Sequence, residues 1–146
     1  MGSSIFRIYK MNDIQKNWEE KQERETFNPA NLEEVFEWMD INMPGFSDHV
    51  KETSEEKISQ YHHGIGTWLR NNLHLWEDCS APYDKRRPLT RWFNDNGIYH
   101  PDDVSAIIFT SLSRHLKGED LQLNEQFKFY RDYWEKTDPA VNRGEM

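Results

Sequence analysis

Cysteine is all but absent. Cys79 is the single thiol in 146 residues, which excludes a disulfide framework and most zinc sites. Its surroundings, Cys79-Ser80-Ala81-Pro82, match no nucleophile motif, so no catalytic residue is expected there or elsewhere. Long apolar runs are missing too. Nothing approaches the roughly 18 consecutive apolar residues of a membrane span, and no basic segment leads into an apolar one as a secretory signal would. A cytoplasmic chain without membrane contact is the expectation. No two of the six histidines stand four residues apart. Adjacent His62 and His63 would point about 100° apart on a regular helix, so no chelating pair exists. Gly64-Ile65-Gly66 is a lone G-x-G with no strand before it, which falls short of a nucleotide fingerprint. Metal and cofactor are both expected to be none.

Positive charge is also in deficit: 18 Lys+Arg against 26 Asp+Glu leave a net charge of −8. That balance argues against direct nucleic-acid binding as the main role. The deficit is concentrated early, with 7 basic against 13 acidic side chains in residues 1–60. Such a surface suits solubility or a basic partner. A local exception is the basic cluster Lys85, Arg86, Arg87 and Arg91. A charged fraction of 30% and a mean hydropathy of −1.00 would by themselves point to disorder. The 6 Trp, 6 Tyr and 8 Phe point the other way, because each large ring buries much area. The composition describes an aromatic core under a charged surface.

Apolar spacing is helical almost throughout. Ile5-Phe6-Arg7-Ile8-Tyr9 is strand-like but has no partner strand, and reads as a short N-terminal strand or arm. Residues 13–25 form a charged, exposed helix with only Ile14 and Trp18 apolar. Asn28-Pro29 opens a helix with Leu32, Val35, Phe36 and Met39 on one face, ended by Pro44-Gly45. Thr53 and Glu56 have capping-box spacing and start a long spine helix whose inner face is Ile58, Tyr61, Ile65, Trp68, Leu69 and Trp76. A short helix runs from Leu89 to Asn96 before Gly97. His100-Pro101-Asp102-Asp103 begins another, with Val104, Ile107, Ile108 and Leu112 inward and both acids on the positive end of its dipole. Asn124 caps the last, which points Phe127, Tyr130 and Trp134 inward. The fold class is all-α, an irregular bundle of five or six helices. It reads as one domain, 1–146, with an acidic extension at 1–52, a helical core at 53–137 and a loose tail at 138–146.

The candidate site lies on the spine. Each of Gly64 and Gly66 costs a helix interior about 1 kcal/mol, a cost usually offset by close approach of another backbone or by a kink. His62 and Asn72 fall within the apolar stripe, where they form either a satisfied core network or the lining of a pocket. The opposite face carries His63, Thr67, Arg70 and His74, a set able to hold an anion. Should Arg70 be buried against Asp102 or Asp103, it is structural instead.

Two stretches, His62-x-Gly64-x-Gly66-x-Trp68-Leu69-Arg70-Asn71-Asn72 through Leu75-Trp76, and Gly97-Ile98-Tyr99-His100-Pro101-Asp102-Asp103, carry a joint pattern. It resembles a small domain of unknown function found in bacterial proteins. The resemblance covers roughly Tyr61 to Phe127 and rests on Arg70, Asn71, Tyr99 and His100. It implies no activity, and residues 1–60 look like an acidic addition to the domain.

The expected function is that of a small acidic inhibitor without catalysis, of the immunity or anti-defence type. It would meet a protein partner with a basic surface through Glu19, Glu20 and Glu23 on the first helix and Glu33, Glu34 and Glu37 on the second. One alternative is a small-molecule or anion-binding domain, or an unrecognised enzyme, that uses His62, His63, Arg70, Asn71 and His100. The other is a subunit of a larger assembly, joined through the arm.

Overall fold

A computed structural model describes residues 28–145. The expected arm at Ile5–Tyr9, the helix at 13–25 and its Glu19, Glu20 and Glu23 lie outside the described residues. Eight α-helices joined by short turns, with no strand among the described residues, form an irregular all-α bundle. There are more helices than periodicity predicts, and they are shorter, because the expected spine helix breaks and an unanticipated short helix forms.

The first helix, α1 (Leu32–Asn42), buries the anticipated Leu32, Val35, Phe36 and Met39, and Trp38 as well. Its cap is Asn31 and not Asn28. The Asn31 side chain accepts from the Glu34 N–H at 2.9 Å, while the Glu34 carboxylate accepts from the Ala30 N–H at 2.6 Å. That is a reciprocal capping arrangement three residues downstream of the expected one. A short helix not anticipated from the sequence, α2 (Phe46–Lys51), follows Gly45, whose φ of +86° turns the chain so that Phe46 and Val50 are buried. Val35, Met39 and Val50 are at most 1% exposed. Residues from 32 onward therefore belong to the core, and the acidic extension ends well before residue 52.

The long spine helix does not exist as one element. Ser54 caps α3 (Glu55–Ile58), because the Thr53 hydroxyl is engaged in donating to the His49 carbonyl at 2.6 Å. A 3-10 turn (Ser59–His62) follows, then Gly64 at φ +66°, ψ −104°, then α4 (Ile65–Asn72). His74, at φ +56°, breaks the chain again before α5 (Leu75–Cys79). These breaks rotate Trp76 out of the expected inner face and leave it 48% exposed. The two glycines have different reasons. Gly64 supplies a backbone conformation that a side chain would strain. Gly66 is packed so closely that an added Cβ would lie 2.5 Å from the Tyr61 carbonyl oxygen and 3.0 Å from an Arg70 guanidinium nitrogen. Gly66→Ala is accordingly expected to lower stability by about 1–2 kcal/mol, the backbone clash outweighing alanine's better helix propensity. A urea titration showing Gly66→Ala at or above wild-type stability would contradict that packing.

The centre of the fold is α7 (Pro101–Leu116), preceded by α6 (Pro88–Asp95). Ten of its sixteen residues are buried, so the helix is enclosed on nearly every side. The anticipated Val104, Ile107, Ile108 and Leu112 share one core cluster with buried residues of α1 to α6, and Trp38 stacks on Trp68 to tie α1 to α4, ring centroids 5.0 Å apart. The last helix, α8 (Leu123–Thr137), follows Gln122 at φ +51°, whose N–H is held by the Asp120 carboxylate at 2.9 Å. Asn124 sits inside its first turn and does not cap it. The segment expected to be loose packs back instead: Pro139–Arg143 forms a 3-10 turn with Val141 buried, and the Asn142 side chain donates to the Arg131 carbonyl at 2.9 Å.

Arg86 and Arg87 of the basic cluster are half-buried and engaged by the fold. Asp78, 2% exposed, accepts from the Arg87 guanidinium at 2.7 Å, from the Arg87 N–H at 3.2 Å and from the Thr90 hydroxyl at 2.6 Å. Arg86 donates to Asn94 and to the Ala81 carbonyl, both at 2.8 Å. These side chains satisfy one another and the turns before α6.

Candidate functional site

The N-terminus of α7 is where the sequence-predicted polar residues meet. Pro101 begins the helix, and the His100 Nδ1 accepts from the Asp102 N–H at 3.0 Å. That bond fixes a lone pair on Nδ1. The same nitrogen lies 3.9 Å from the Asp102 carboxylate. The His100 ring stacks on Trp134, centroids 5.4 Å apart at 15°, and meets Trp76 edge-on at 5.4 Å.

Asp102 is the hub. Its Oδ1 lies 3.5 Å from the Arg70 Nε and its Oδ2 lies 3.7 Å from the His62 Nε2. Arg70 is only 5% exposed. It donates to the Ser105 hydroxyl at 3.0 Å, the His62 carbonyl at 2.9 Å and the Thr67 hydroxyl at 3.1 Å. Arg70 thus joins the 3-10 turn, α4 and α7, with its donors turned into the fold. The conditional reading of Arg70 as structural is the one that holds, and the anion face does not form around it.

The remaining candidates separate. His62 is half-exposed rather than buried, and its ring packs edge-on against that of the exposed His63, 4.9 Å away. Asn72 is half-buried and satisfied within its own helix, donating to the Trp68 carbonyl at 2.8 Å. His74 pairs with Glu77 at 3.3 Å. Asn71 is exposed and makes no side-chain hydrogen bond among the described residues. Of the five residues expected to bind a ligand, His62, Arg70 and His100 converge on Asp102, while His63 touches that group through His62 alone and Asn71 does not join. No group of three or more histidine, cysteine or acidic side chains among the described residues could hold a metal ion.

Beyond the hub lies a cleft of about 370 Å³. His100, Asp102 and Asp103 form one wall, and Phe129, Tyr130, Tyr133 and Trp134 of α8 form the other. Asp103 is 7% exposed, and its Oδ2 accepts from the Trp134 indole N–H at 2.7 Å. Burial pushes its carboxyl up to about 6, against the opposing pull of the Trp134 hydrogen bond and of nearby His100, with the Asp102 charge adding to the rise. The Tyr130 phenol is raised as well, by burial first and then by the Asp103 charge. The Asp103 Oδ1 accepts no hydrogen bond from any described residue. Since no wholly buried side-chain polar atom lacks a partner among the described residues, that oxygen opens to the cleft.

Sequence reasoning missed this wall of α8. It assigned Tyr130 and Trp134 to the core, yet both are only partly buried, and Phe129 and Tyr133 stand 67% and 51% exposed. The signal was available: two large aromatics at i, i+4 on the otherwise charged outer face of a helix.

Comparison with family models gives a match to the family described as "Domain of unknown function (DUF6794)" over residues 28–116. The match begins before α1, well ahead of the Tyr61 start read from motifs, and ends with α7. It therefore contains the hub and the α7 wall of the cleft, while the aromatic wall on α8 lies beyond it. Comparisons with curated proteins and with solved structures returned no match.

Proposed function

The chain belongs to the DUF6794 family, and from its own side chains we propose that it is a binding protein that engages and inhibits a macromolecular partner with a basic surface, without catalysis of its own. The observation that carries the reading is the two-sidedness of α1. Its inner face is core, whereas Glu33, Glu34, Glu37 and Asp40 are all exposed on the outer face, with no basic residue in the last turn to neutralise them. A helix held rigidly by its buried side presents these carboxylates as a fixed array, the arrangement that steers a cationic partner into an encounter. The competing anion-binding reading loses support because Arg70 is committed to internal contacts.

The test is capture of a partner from the native cellular background at low and high salt. Glu33→Gln with Glu37→Gln forms one variant, which spares the capping role of Glu34. Glu19→Gln, Glu20→Gln and Glu23→Gln form the other. One dominant basic protein should be retained at low salt, released at high salt and held about tenfold more weakly by at least one variant. Capture that ignores both salt and these substitutions would refute the electrostatic reading.

A further inference from the structure

The cleft between α7 and α8 combines three features seldom found together on a surface. Its α8 wall is aromatic, and two of its rings, Phe129 and Tyr133, are more than half exposed although such rings normally seek burial. Its α7 wall holds a nearly buried carboxylate with one oxygen bound to Trp134 and the other unpartnered among the described residues. Among the described residues neither lysine nor arginine lines it; Arg70 reaches Asp102 from within the fold. The Asp103 oxygen that opens to the cleft lacks a donor among the described residues, and the exposed Phe129 and Tyr133 rings beside it lack cover, while aromatic rings attract cations. Both deficits are met by the same ligand, a cation that also offers N–H donors.

We propose that this cleft receives an arginine side chain of the partner, its guanidinium lying against the aromatic wall of α8 and donating to the carboxylates of Asp103 and Asp102. The inference rests on the reading of a basic partner and names the group by which that partner is anchored. Arginine suits the site better than lysine for two reasons. Its planar fork can stack on a ring and bond a carboxylate at once, and it is less strongly hydrated than an ammonium group. The second point matters here, because Asp103 is only 7% exposed and a cation must shed water to reach its carboxylate.

The Trp134 indole N–H, bonded to Asp103, is a built-in reporter. Proton–nitrogen NMR of the full chain would follow that resonance during titration with the blocked peptide Gly-Gly-Arg-Gly-Gly and with counterparts carrying lysine or citrulline in place of arginine. The arginine peptide should shift it saturably. The citrulline peptide, of similar shape without charge, should bind about tenfold or more weakly, with lysine between them. Asp103→Asn and Tyr133→Ala should each weaken arginine binding about tenfold, while the remaining resonances report an intact fold. Equal binding of arginine and citrulline, unchanged arginine affinity in both variants, or no shift with any peptide would overturn the proposal. The two readings also fail separately. Capture of a basic protein through α1 that Asp103→Asn and Tyr133→Ala leave intact refutes the cleft alone. Specific arginine-peptide binding with no basic partner captured supports the cleft as a cation site and refutes the inhibitor reading.

Discussion

Replacing Arg70 with alanine is expected to cost the fold about 3–5 kcal/mol, the range seen when one member of a buried charged network is removed. The reason is the number of groups left behind. The Ser105 hydroxyl, the His62 carbonyl and the Thr67 hydroxyl would lose their donor, and the Asp102 carboxylate the guanidinium 3.5 Å away, at a site where Arg70 is 5% exposed. Arg70→Lys should recover little, since a single ammonium cannot span three acceptors that a planar fork reaches from one position. Gly66 reinforces the point: its missing Cβ is part of what lets the guanidinium lie where it does. Urea denaturation of the two variants is the measurement. A loss below about 1 kcal/mol for Arg70→Ala would place the residue in the class of surface charges and undo the structural assignment.

The second large effect has the opposite sign. Asp103→Asn is expected to stabilise the protein at neutral pH by about 2 kcal/mol, because burial lifts the folded-state carboxyl to about 6 from an ordinary 3.8. Between those two values the folded protein holds a proton that the unfolded chain has released. Wild-type stability should therefore fall as pH rises from about 4 to about 6 and then stay level, as far as this group contributes. The variant should lack that fall, so the two proteins should be closest at about pH 4 and furthest apart at about pH 7. The carboxamide oxygen that the substitution introduces would still accept from the Trp134 indole N–H, so the hydrogen bond is kept while the charge is removed. Thermal or urea unfolding across this pH range checks the slope, and equal slopes in the two proteins would show that Asp103 is not the group responsible. A residue that costs stability and is also required for arginine binding would be an instance of function retained at the expense of the fold.

Some of this was legible from residue order. The faces Leu32/Val35/Phe36/Met39 and Val104/Ile107/Ile108/Leu112 are buried as their spacing requires, and His100-Pro101-Asp102-Asp103 starts a helix as capping chemistry dictates. The spine was not legible. Gly64 and His74 interrupt a pattern whose periodicity continues through them, and a moment summed along a sequence cannot register a change of direction. The caps shifted by one and three residues because several Asn, Ser and Thr side chains compete for the same orphan N–H groups, and tertiary contacts decide which is free. Thr53 loses to Ser54 because its hydroxyl is drawn to the His49 carbonyl.

By itself the sequence determined the all-α class, the inward faces of α1 and α7 and the acidic excess, because each depends on composition or on neighbours within one or two turns. The roles of individual polar residues were decided only in three dimensions. Arg70 meets Ser105 across 35 residues and Trp134 meets Asp103 across 31, and both pairings depend on where intervening turns send their helices. Arg70 is thereby removed from solvent and fixed as a brace. The rings of α8, spaced along the chain like core residues, are left facing a carboxylate across an open cleft.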